Sequence, residues 1–204
     1  MPVIVVANPK GGVGKSTLST NLAGYLASRG HAVMLGDVDR QQSALTWLSL
    51  RPPQLPAIGT WDTHGEIVRP PKGTTHVVLD TPAGLHGKRL DEVMKLADTV
   101  IIPIQPSIFD IHATHAFVAE LRAHRRSEKV KLGIVCMRVR EGTLSADHLR
   151  AFIDKLQVPL VGQLRDTQNY VHLAAHGLTL FDVSSSRFER DHAQWKSITE
   201  WIDA

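Results

Sequence analysis

Near the start of the chain, glycines, lysines and hydroxyl side chains are spaced as phosphate chemistry requires. The segment reads Asn8-Pro9-Lys10-Gly11-Gly12-Val13-Gly14-Lys15-Ser16-Thr17. Backbone N–H groups of a glycine-rich turn converge on an anion, and the N-terminus of a following helix adds positive potential. This spacing places Lys15 at the β- and γ-phosphates of a nucleotide and the Ser16 hydroxyl at Mg²⁺, although Pro9 stands where the strict motif has glycine. We therefore predict a nucleotide-binding loop.

Carboxylates follow two later apolar runs. Asp37 and Asp39 end the run that begins at Val33, and Asp80 ends the run that begins at His76. Alternate residues of a strand point to the same side, so Asp37 and Asp39 share one side at the edge where open α/β sheets bind ligands. A strand-terminal aspartate such as Asp80 suits a Mg²⁺ ion beside nucleotide phosphates. An alternative role for Asp37 and Asp39 is to cap the helix that follows them.

Apolar runs and helical periodicities alternate along the chain and predict the elements that position these side chains. Leu18, Leu22 and Leu26 recur at helical spacing after the phosphate-binding segment. Strands are predicted at Val3–Ala7, Val33–Asp39, His76–Asp80, from Thr99 onward, at Val130–Cys136 and at Pro159–Leu164. The alternation predicts an α/β fold, a doubly wound, mostly parallel sheet with helices on both faces. Because 43% of the 204 residues are hydrophobic, we expect a single domain over residues 1–204.

From Lys10 to Thr17 the chain resembles the deviant Walker A box of the ParA/MinD family of P-loop ATPases, whose mark is a second lysine, here Lys10. Residues 37–41 resemble the family's Asp-x-Asp-Pro-Gln segment, with Arg40 in place of the proline. Residues 80–84 resemble its γ-phosphate switch, in which Gly84 supplies backbone freedom. The similarity covers nearly the whole chain and is greatest to the small plasmid-partition ParA type.

The resemblance implies ATP and Mg²⁺ as cofactors and a role for each site residue. Lys10 reaches across a nucleotide-sandwiched dimer to the partner's phosphates, Asp39 orients the attacking water, and Asp37 supports the magnesium shell. The implied catalytic residues are Lys10, Lys15 and Asp39, and the implied magnesium ligands are Ser16, Asp37 and Asp80. The implied nucleotide-binding residues are Lys10, Gly11, Gly12, Val13, Gly14, Lys15, Ser16, Thr17 and Arg138.

Two further segments bear on the nucleotide base. Many relatives carry an Asn-Arg pair that contacts adenine, and here Met137 replaces the asparagine before Arg138. Residues 165–170 resemble the loop near the base and the dimer interface. Arg138 is therefore the one candidate for an adenine contact that the resemblance supplies.

The resemblance also implies partners: an ATP-bound homodimer, nonspecific DNA and an adaptor protein that stimulates hydrolysis. The implied task is partition or positioning of a plasmid, a chromosome or another cytoplasmic cargo by a nucleoid-associated protein. A net charge of +3 permits nucleic-acid binding without requiring it. The candidate DNA-binding residues are Arg187, Arg190 and Lys196, which we expect to open the final helix. A second basic cluster, from His124 to Lys131, is expected to close a helix, where cations are favoured.

Other function classes make different demands on the sequence. MinD-like membrane-cycling regulators end in a basic amphipathic helix, whereas the C-terminal apolar stripe here has acidic neighbours. We expect that stripe to pack on the sheet and expect no stable membrane association; its members are Phe188, Trp195, Ile198 and Ile202. A lone cysteine, Cys136 in an expected buried strand, argues against an iron–sulfur carrier. A small-molecule enzyme of the dethiobiotin synthetase type and a non-hydrolysing interaction protein stay as alternatives.

One proline-rich and turn-rich interruption, from Arg51 to Gly73, separates the second and third predicted strands. It is too short for a separate domain, and we predict a surface excursion. Trp47 and Trp61 lie beside it, and we expect them to anchor this segment to the core rather than to form a partner patch.

Overall fold

A seven-stranded sheet organises the computed structural model, which describes residues 1–61, 63 and 70–204. The strands are β1 (Val3–Val6), β2 (Val33–Asp37), β3 (Ile58–Gly59), β4 (His76–Asp80), β5 (Thr99–Ile104), β6 (Lys131–Val139) and β7 (Leu160–Arg165). Their order is β3-β2-β4-β1-β5-β6-β7, and every pairing among the described residues is parallel. The carboxyl ends of the strands therefore share one edge of the sheet, and the amino ends share the other.

Helices cover both faces of this sheet. On one face lie α1 (Lys15–Ser28), α2 (Ser43–Ser49), α6 (Asn169–Ala174) and α7 (Glu189–Asp203). On the other face lie α3 (Gly87–Leu96), α4 (Ile108–Ala123) and α5 (Leu144–Leu156). Short 3₁₀ helices occupy Ser127–Lys129, Leu180–Asp182 and Ser186–Phe188.

The central strand β1 shows why the two cores form. All four of its residues are buried, and alternate side chains of a strand point to opposite faces. Val3 and Val5 accordingly join the core beneath α3, α4 and α5, whereas Ile4 and Val6 join the core beneath α1 and α7. A strand buried on both faces is apolar at every position, which is why such runs could be identified in the sequence.

The strand order reverses beside β1. The chain winds from β1 to β2 and β3 on one side, returns to β4, and then crosses to β5, β6 and β7 on the other side. Open α/β sheets bind ligands at the carboxyl edge near such a reversal, and the phosphate-binding segment directly follows β1. The predicted doubly wound α/β fold is confirmed.

Several predicted element boundaries differ from the structure. The two-residue edge strand β3 was not predicted because Ile58–Gly59 is too short for a periodic signal. The helix expected to close at the basic cluster ends at Ala123, before His124, and Lys131 opens β6 instead. Arg187 lies in the 3₁₀ helix before α7 rather than in the final helix itself.

Arg126 of the basic cluster and the nearby Arg122 nonetheless lie at helix ends. Arg126 donates to the carbonyl oxygens of Lys95 and Ala97, at the end of α3, and Arg122 donates to the Gln157 carbonyl, 2.9 Å away, at the end of α5. Guanidinium groups in this position satisfy terminal carbonyls and interact favourably with the helix dipole.

Three packing predictions can be compared with the structure. The C-terminal stripe packs on the sheet as expected, with Trp195 and Ile198 fully buried. Cys136 is buried in β6. Trp47 is buried in α2 and Trp61 packs in the other core, so both anchor the segment beside them. Residues 62 and 64–69 of the predicted surface excursion lie outside the described residues.

Candidate nucleotide-binding site

The phosphate-binding segment forms the turn from β1 into α1. Gly14 precedes the first residue of α1 and has a φ of 96°, which side chains with a Cβ rarely adopt. A Cβ at Gly14 would also lie 2.7 Å from the terminal methyl of Met137 on β6. Glycine is therefore required at this position both by backbone conformation and by the close approach of β6.

Hydrogen bonds from distant residues hold this turn in place. The buried Asn8 side chain accepts from the Lys10 N–H (2.9 Å) and donates to the Pro103 carbonyl (2.8 Å). Gln105 donates to the Gly12 carbonyl (2.8 Å). The Gly84 N–H donates to the Pro9 carbonyl (2.8 Å), so the segment that resembles the γ-phosphate switch is bonded directly to the turn. A Gly84 φ of 73° agrees with the predicted need for backbone freedom there.

Lys15 lies inside the turn that it is expected to serve. Its Nζ donates to the Lys10 carbonyl, 2.7 Å away. Burial lowers the pKa of Lys15, and the nearby Asp80 and Asp39 carboxylates act in the opposite direction. Hydrogen bonds from an ammonium group to a charged acceptor are stronger than those to a neutral carbonyl. A nucleotide phosphate could therefore replace the Lys10 carbonyl as the acceptor for Lys15.

Asp80 and Ser16 come together beneath the turn. The Asp80 carboxyl is almost fully buried, accepts from the Ser19 hydroxyl at 3.0 Å, and is hydrogen-bonded to Ser16. Burial raises the pKa of Asp80 to about 7; the nearby Asp37 charge also raises it, while Ser16, Ser19 and Lys15 lower it. A hydroxyl and a carboxylate next to a phosphate cradle are oxygen donors that fit Mg²⁺.

Asp37 and Asp39 differ in their surroundings. Both carboxylate oxygens of Asp37 are used by the backbone: they accept from Asp39 N and Ala44 N, each at 2.9 Å. Asp37 thus caps the start of α2, the alternative role considered from the sequence, and burial raises its pKa. Asp39 accepts from the Gln41 N–H at 3.1 Å and faces the open site. Asp39 is therefore the carboxylate with access to a bound nucleotide.

Lys10 has an acidic neighbour that no sequence motif indicates. Asp110, in the first turn of α4, is nine-tenths buried, and the positive charge of Lys10 opposes the rise in the Asp110 pKa that burial causes. The two residues are far apart in the chain. The Lys10 charge therefore acts on the first turn of α4.

The phosphate turn borders an open cleft of about 560 Å³ at the carboxyl edge of the sheet. Eight predicted site residues line it: Gly11, Gly12, Gly14, Lys15, Ser16, Thr17, Asp39 and Arg138. Four other lining residues were not among the predicted site residues: Gln41, Ser43, Pro82 and Ala83. Pro82 and Ala83 belong to the segment that resembles the γ-phosphate switch. The predicted residues Lys10, Val13, Asp37 and Asp80 do not line the cleft; Val13 is buried in the turn.

Arg138 reaches the cleft through an irregularity in β6. Its φ of 52° is left-handed, an uncommon conformation for a residue other than glycine, and the β6–β7 register shifts between Cys136 and Val139. The irregularity turns Arg138 outward while the preceding Met137 stays buried against the phosphate turn.

A family model describes the same region of the chain. Residues 4–180 match the CobQ/CobB/MinD/ParA nucleotide binding domain. The chain belongs to this family.

Individual ParA/MinD-family relatives agree over most of the chain. "Maintenance of carboxysome distribution protein A" of Halothiobacillus neapolitanus is 27% identical over 192 residues, which cover 89% of this chain and 88% of the relative. "Chromosome-partitioning ATPase Soj" of Thermus thermophilus is 30% identical over 186 residues, or 72% of this chain and 74% of the relative. The predicted enzyme class, a ParA/MinD-type ATPase, is confirmed, and the relatives act in positioning or partition.

Solved structures confirm the ParA/MinD fold. The MinD cell division protein of Aquifex aeolicus superimposes with a TM-score of 0.77 at 18% identity, covering 100% of this chain and 98% of that chain. The septum site-determining protein MinD of Pyrococcus horikoshii, complexed with Mg-ADP, gives 0.68 at 17% identity, with 99% and 96% covered.

The predicted DNA-binding residues of this ParA/MinD-family chain are exposed on its surface and do not line the cleft. Arg187 donates to Asn169 (3.1 Å), Arg190 pairs with Glu141 (3.2 Å), and Lys196 pairs with Glu200 (3.8 Å). Among the residues that the structure describes, no helix is both long and apolar enough to cross a membrane.

Proposed function

We propose that this protein is an ATP-driven positioning ATPase: ATP binding forms a homodimer, the dimer binds DNA nonspecifically, and hydrolysis releases it. One observation carries the proposal. Of the two lysines in the phosphate turn, Lys15 lines its own cleft, whereas Lys10 does not, and the Lys10 charge acts on Asp110 in the first turn of α4. Lys10 belongs to the phosphate turn but does not line the cleft of its own subunit. Its ammonium group can therefore bind the phosphate of a nucleotide held by a second subunit.

The nucleotide acts in this proposal as a switch ligand. Its γ-phosphate supplies contacts that stabilise the dimer, and loss of that phosphate removes them. The hydrogen bond between Gly84 and Pro9 supports this role, because it joins residues 80–84 to the phosphate turn. Mg²⁺ would be held by Ser16 and Asp80, and Asp39 would orient the attacking water.

The cargo is proposed from the relatives. The carboxysome-distribution protein matches nearly the full length of both chains, and Soj is named for chromosome partition. We therefore propose that the cargo, a protein assembly, plasmid or chromosome, is moved over the nucleoid through an adaptor that stimulates hydrolysis.

The DNA-binding surface is proposed at Arg187, Arg190 and Lys196. The three side chains are exposed, and the two carboxylates that pair with Arg190 and Lys196 are exposed as well. Exposed ion pairs of this kind are worth at most about 1 kcal/mol, so DNA phosphates can displace them.

DNA binding over a salt series tests the proposal. We expect Mg²⁺ with a slowly hydrolysed ATP analogue to give binding to unrelated duplexes, and ADP to give little. Replacing Arg187, Arg190 and Lys196 by Ala should reduce the slope of log affinity against log salt by about 0.9 for each DNA phosphate that is no longer neutralised. The matched control replaces three exposed cations at the amino edge, Arg125, Lys129 and Lys155, by Ala. Equal binding in both nucleotide states, or an equal loss in both triple variants, would contradict the proposal.

A further inference from the structure

A second cavity, of about 430 Å³, lies at the amino edge of the sheet. It is bounded by the starts of β1, β4 and β5 and by the ends of α1 and α7. Helix α1 begins at the phosphate turn with Lys15 and ends at Ser28, so its 14 residues separate the two cavities by about 21 Å. Nucleotide bound at the carboxyl edge does not reach this cavity.

The floor of the cavity is apolar. Ile4 and Leu26 are almost fully buried beneath it, and Pro2 and Ile202 complete its walls. Apolar walls around a concave space of this size are typical of small-molecule sites, in which a few polar groups then fix the orientation of the ligand.

The polar groups of the rim are mainly bases. Arg29, His31 and His76 line the rim, and the imidazole rings of the two histidines have centroids only 4.0 Å apart. One carboxylate, that of Asp203, also faces the cavity, but it accepts a 2.5 Å hydrogen bond from the Tyr25 hydroxyl. The exposed Arg29 guanidinium and the two imidazoles therefore outnumber the acidic group.

The surroundings of His76 disfavour its protonated form. Burial lowers the pKa of His76, the nearby His31 and the Met1 amine lower it further, and Asp203 opposes them. An anion placed between these rings would remove the repulsion and favour the protonated form. The Nδ1 of His76 lies 3.1 Å from the Thr75 hydroxyl, so Nε2 is the nitrogen left to contact a ligand.

We propose that this cavity binds a small organic anion, with its apolar or planar body on the floor and its carboxylate or phosphate group between Arg29 and the two imidazoles. A metal ion is a weaker fit, because no cluster of three His, Cys, Asp or Glu side chains suited to a metal occurs in the described parts of the chain. The site is separate from the nucleotide cleft and does not depend on the proposed function.

Histidine ring resonances in NMR spectra of the whole protein provide the test. The probes are benzoate and benzylamine, which share a flat apolar body and carry opposite charges. We expect benzoate to shift the ring signals of His31 and His76 in a saturable way and to leave His172 and His176 unchanged. That second pair is a matched control, since its rings lie 5.0 Å apart on an exposed face of α6 and the following turn.

Substitutions make the test specific. Arg29→Gln should weaken benzoate binding about tenfold, as expected for loss of one charge-assisted hydrogen bond. The exposed Arg125→Gln, outside the cavity, should leave binding unchanged. Neither variant touches a residue of the nucleotide cleft, and folding of each is checked by ATP binding.

The pH dependence gives an independent readout. Because the anion favours protonated imidazole, benzoate affinity should rise about tenfold between pH 8 and pH 6. Replacing His31 by Asn and His76 by Gln should remove most of that rise. A rise that persists in the double variant would place the titrating group outside the two imidazoles and would overturn the proposal. Equal shifts with benzylamine, or no shift with benzoate, would overturn it as well.

Discussion

Asp80 is the ionisable residue whose surroundings bear most directly on the chemistry of the cleft. Its carboxyl is buried beneath the phosphate turn, where its pKa rises to about 7. A bound Mg²⁺ would favour the charged carboxylate, whereas in the free protein the buried charge is unfavourable. The residue is thus destabilising without its ligand, which is common where binding residues are pre-positioned.

The pH dependence of the unfolding free energy should reveal the unfavourable free energy of the buried Asp80 charge. Between the ordinary pKa of an aspartate and about 7, the folded protein binds a proton at Asp80 that the unfolded chain does not, so unfolding free energy falls as pH rises through this window. We expect Asp80→Asn to stabilise the nucleotide-free protein by a few kcal/mol at pH 8 and to have little effect near pH 4. Urea unfolding at both pH values measures this.

The control for this experiment is Asp154→Asn, an exposed carboxylate on α5. It should change stability by the same small amount at both pH values. An Asp80→Asn variant that is less stable than the parent protein at pH 8 would contradict the burial argument.

Asp39 should separate binding from hydrolysis. Its side chain faces the cleft without supporting the phosphate turn, so Asp39→Ala should bind ATP with little change and hydrolyse it at least about 100-fold more slowly. Rapid-quench hydrolysis and equilibrium ATP binding measure the two properties, with the exposed Asp147→Ala as control. Hydrolysis at the parental rate would move the water-orienting role to another group.

At the scale of elements, β7 and α7 are joined through a buried carboxylate. Asp191, fully buried in α7, accepts two hydrogen bonds from Arg165 at the end of β7 and one from Asn169 at the start of α6. Asn169 in turn accepts from Arg187. These contacts fix the final helix, and with it the proposed DNA-binding surface, to the carboxyl edge of the sheet.

Replacing Asp191 by alanine should lower the free energy of unfolding. Asp191→Ala leaves the partly exposed Arg165 and the buried Asn169 without their acceptor, and a donor left unsatisfied in this way costs about 1–3 kcal/mol. The matched control is Asp166→Ala, which breaks the exposed Arg140–Asp166 pair nearby and should cost less than about 1 kcal/mol. Urea unfolding of both variants provides the comparison, and equal costs would show that Asp191 does not join the elements.

The elements also show what the sequence could and could not predict. The central strands and the phosphate turn were predictable because their signals are local: apolar runs such as Val3–Val6, and glycines followed by lysine and serine. Contacts between distant segments left no such signal. Met137 against Gly14, Ser19 on Asp80, and Asp110 beside Lys10 each depend on how strands far apart in the chain become neighbours.

At the scale of the whole molecule, the nucleotide cleft and the amino-edge cavity lie at opposite edges of one sheet and differ in their chemistry. The cleft is built from backbone and short polar side chains of the phosphate turn, as an ATP site requires. The amino-edge cavity combines an apolar floor with basic side chains. Only the first was foreseen from the sequence, because His31, His76 and Arg29 belong to no motif and meet through the packing of α1 on the sheet.

The central claim is that ATP brings two copies of this chain together through Lys10, and light scattering tests it most directly. With Mg²⁺ and a slowly hydrolysed ATP analogue, the mass should double from 22.5 kDa, and with ADP it should not. Lys10→Ala should bind the analogue yet stay at the monomer mass, whereas Lys15→Ala should lose both binding and dimerisation. A parent protein that stays monomeric with the analogue, or a Lys10→Ala variant that dimerises normally, would contradict the account.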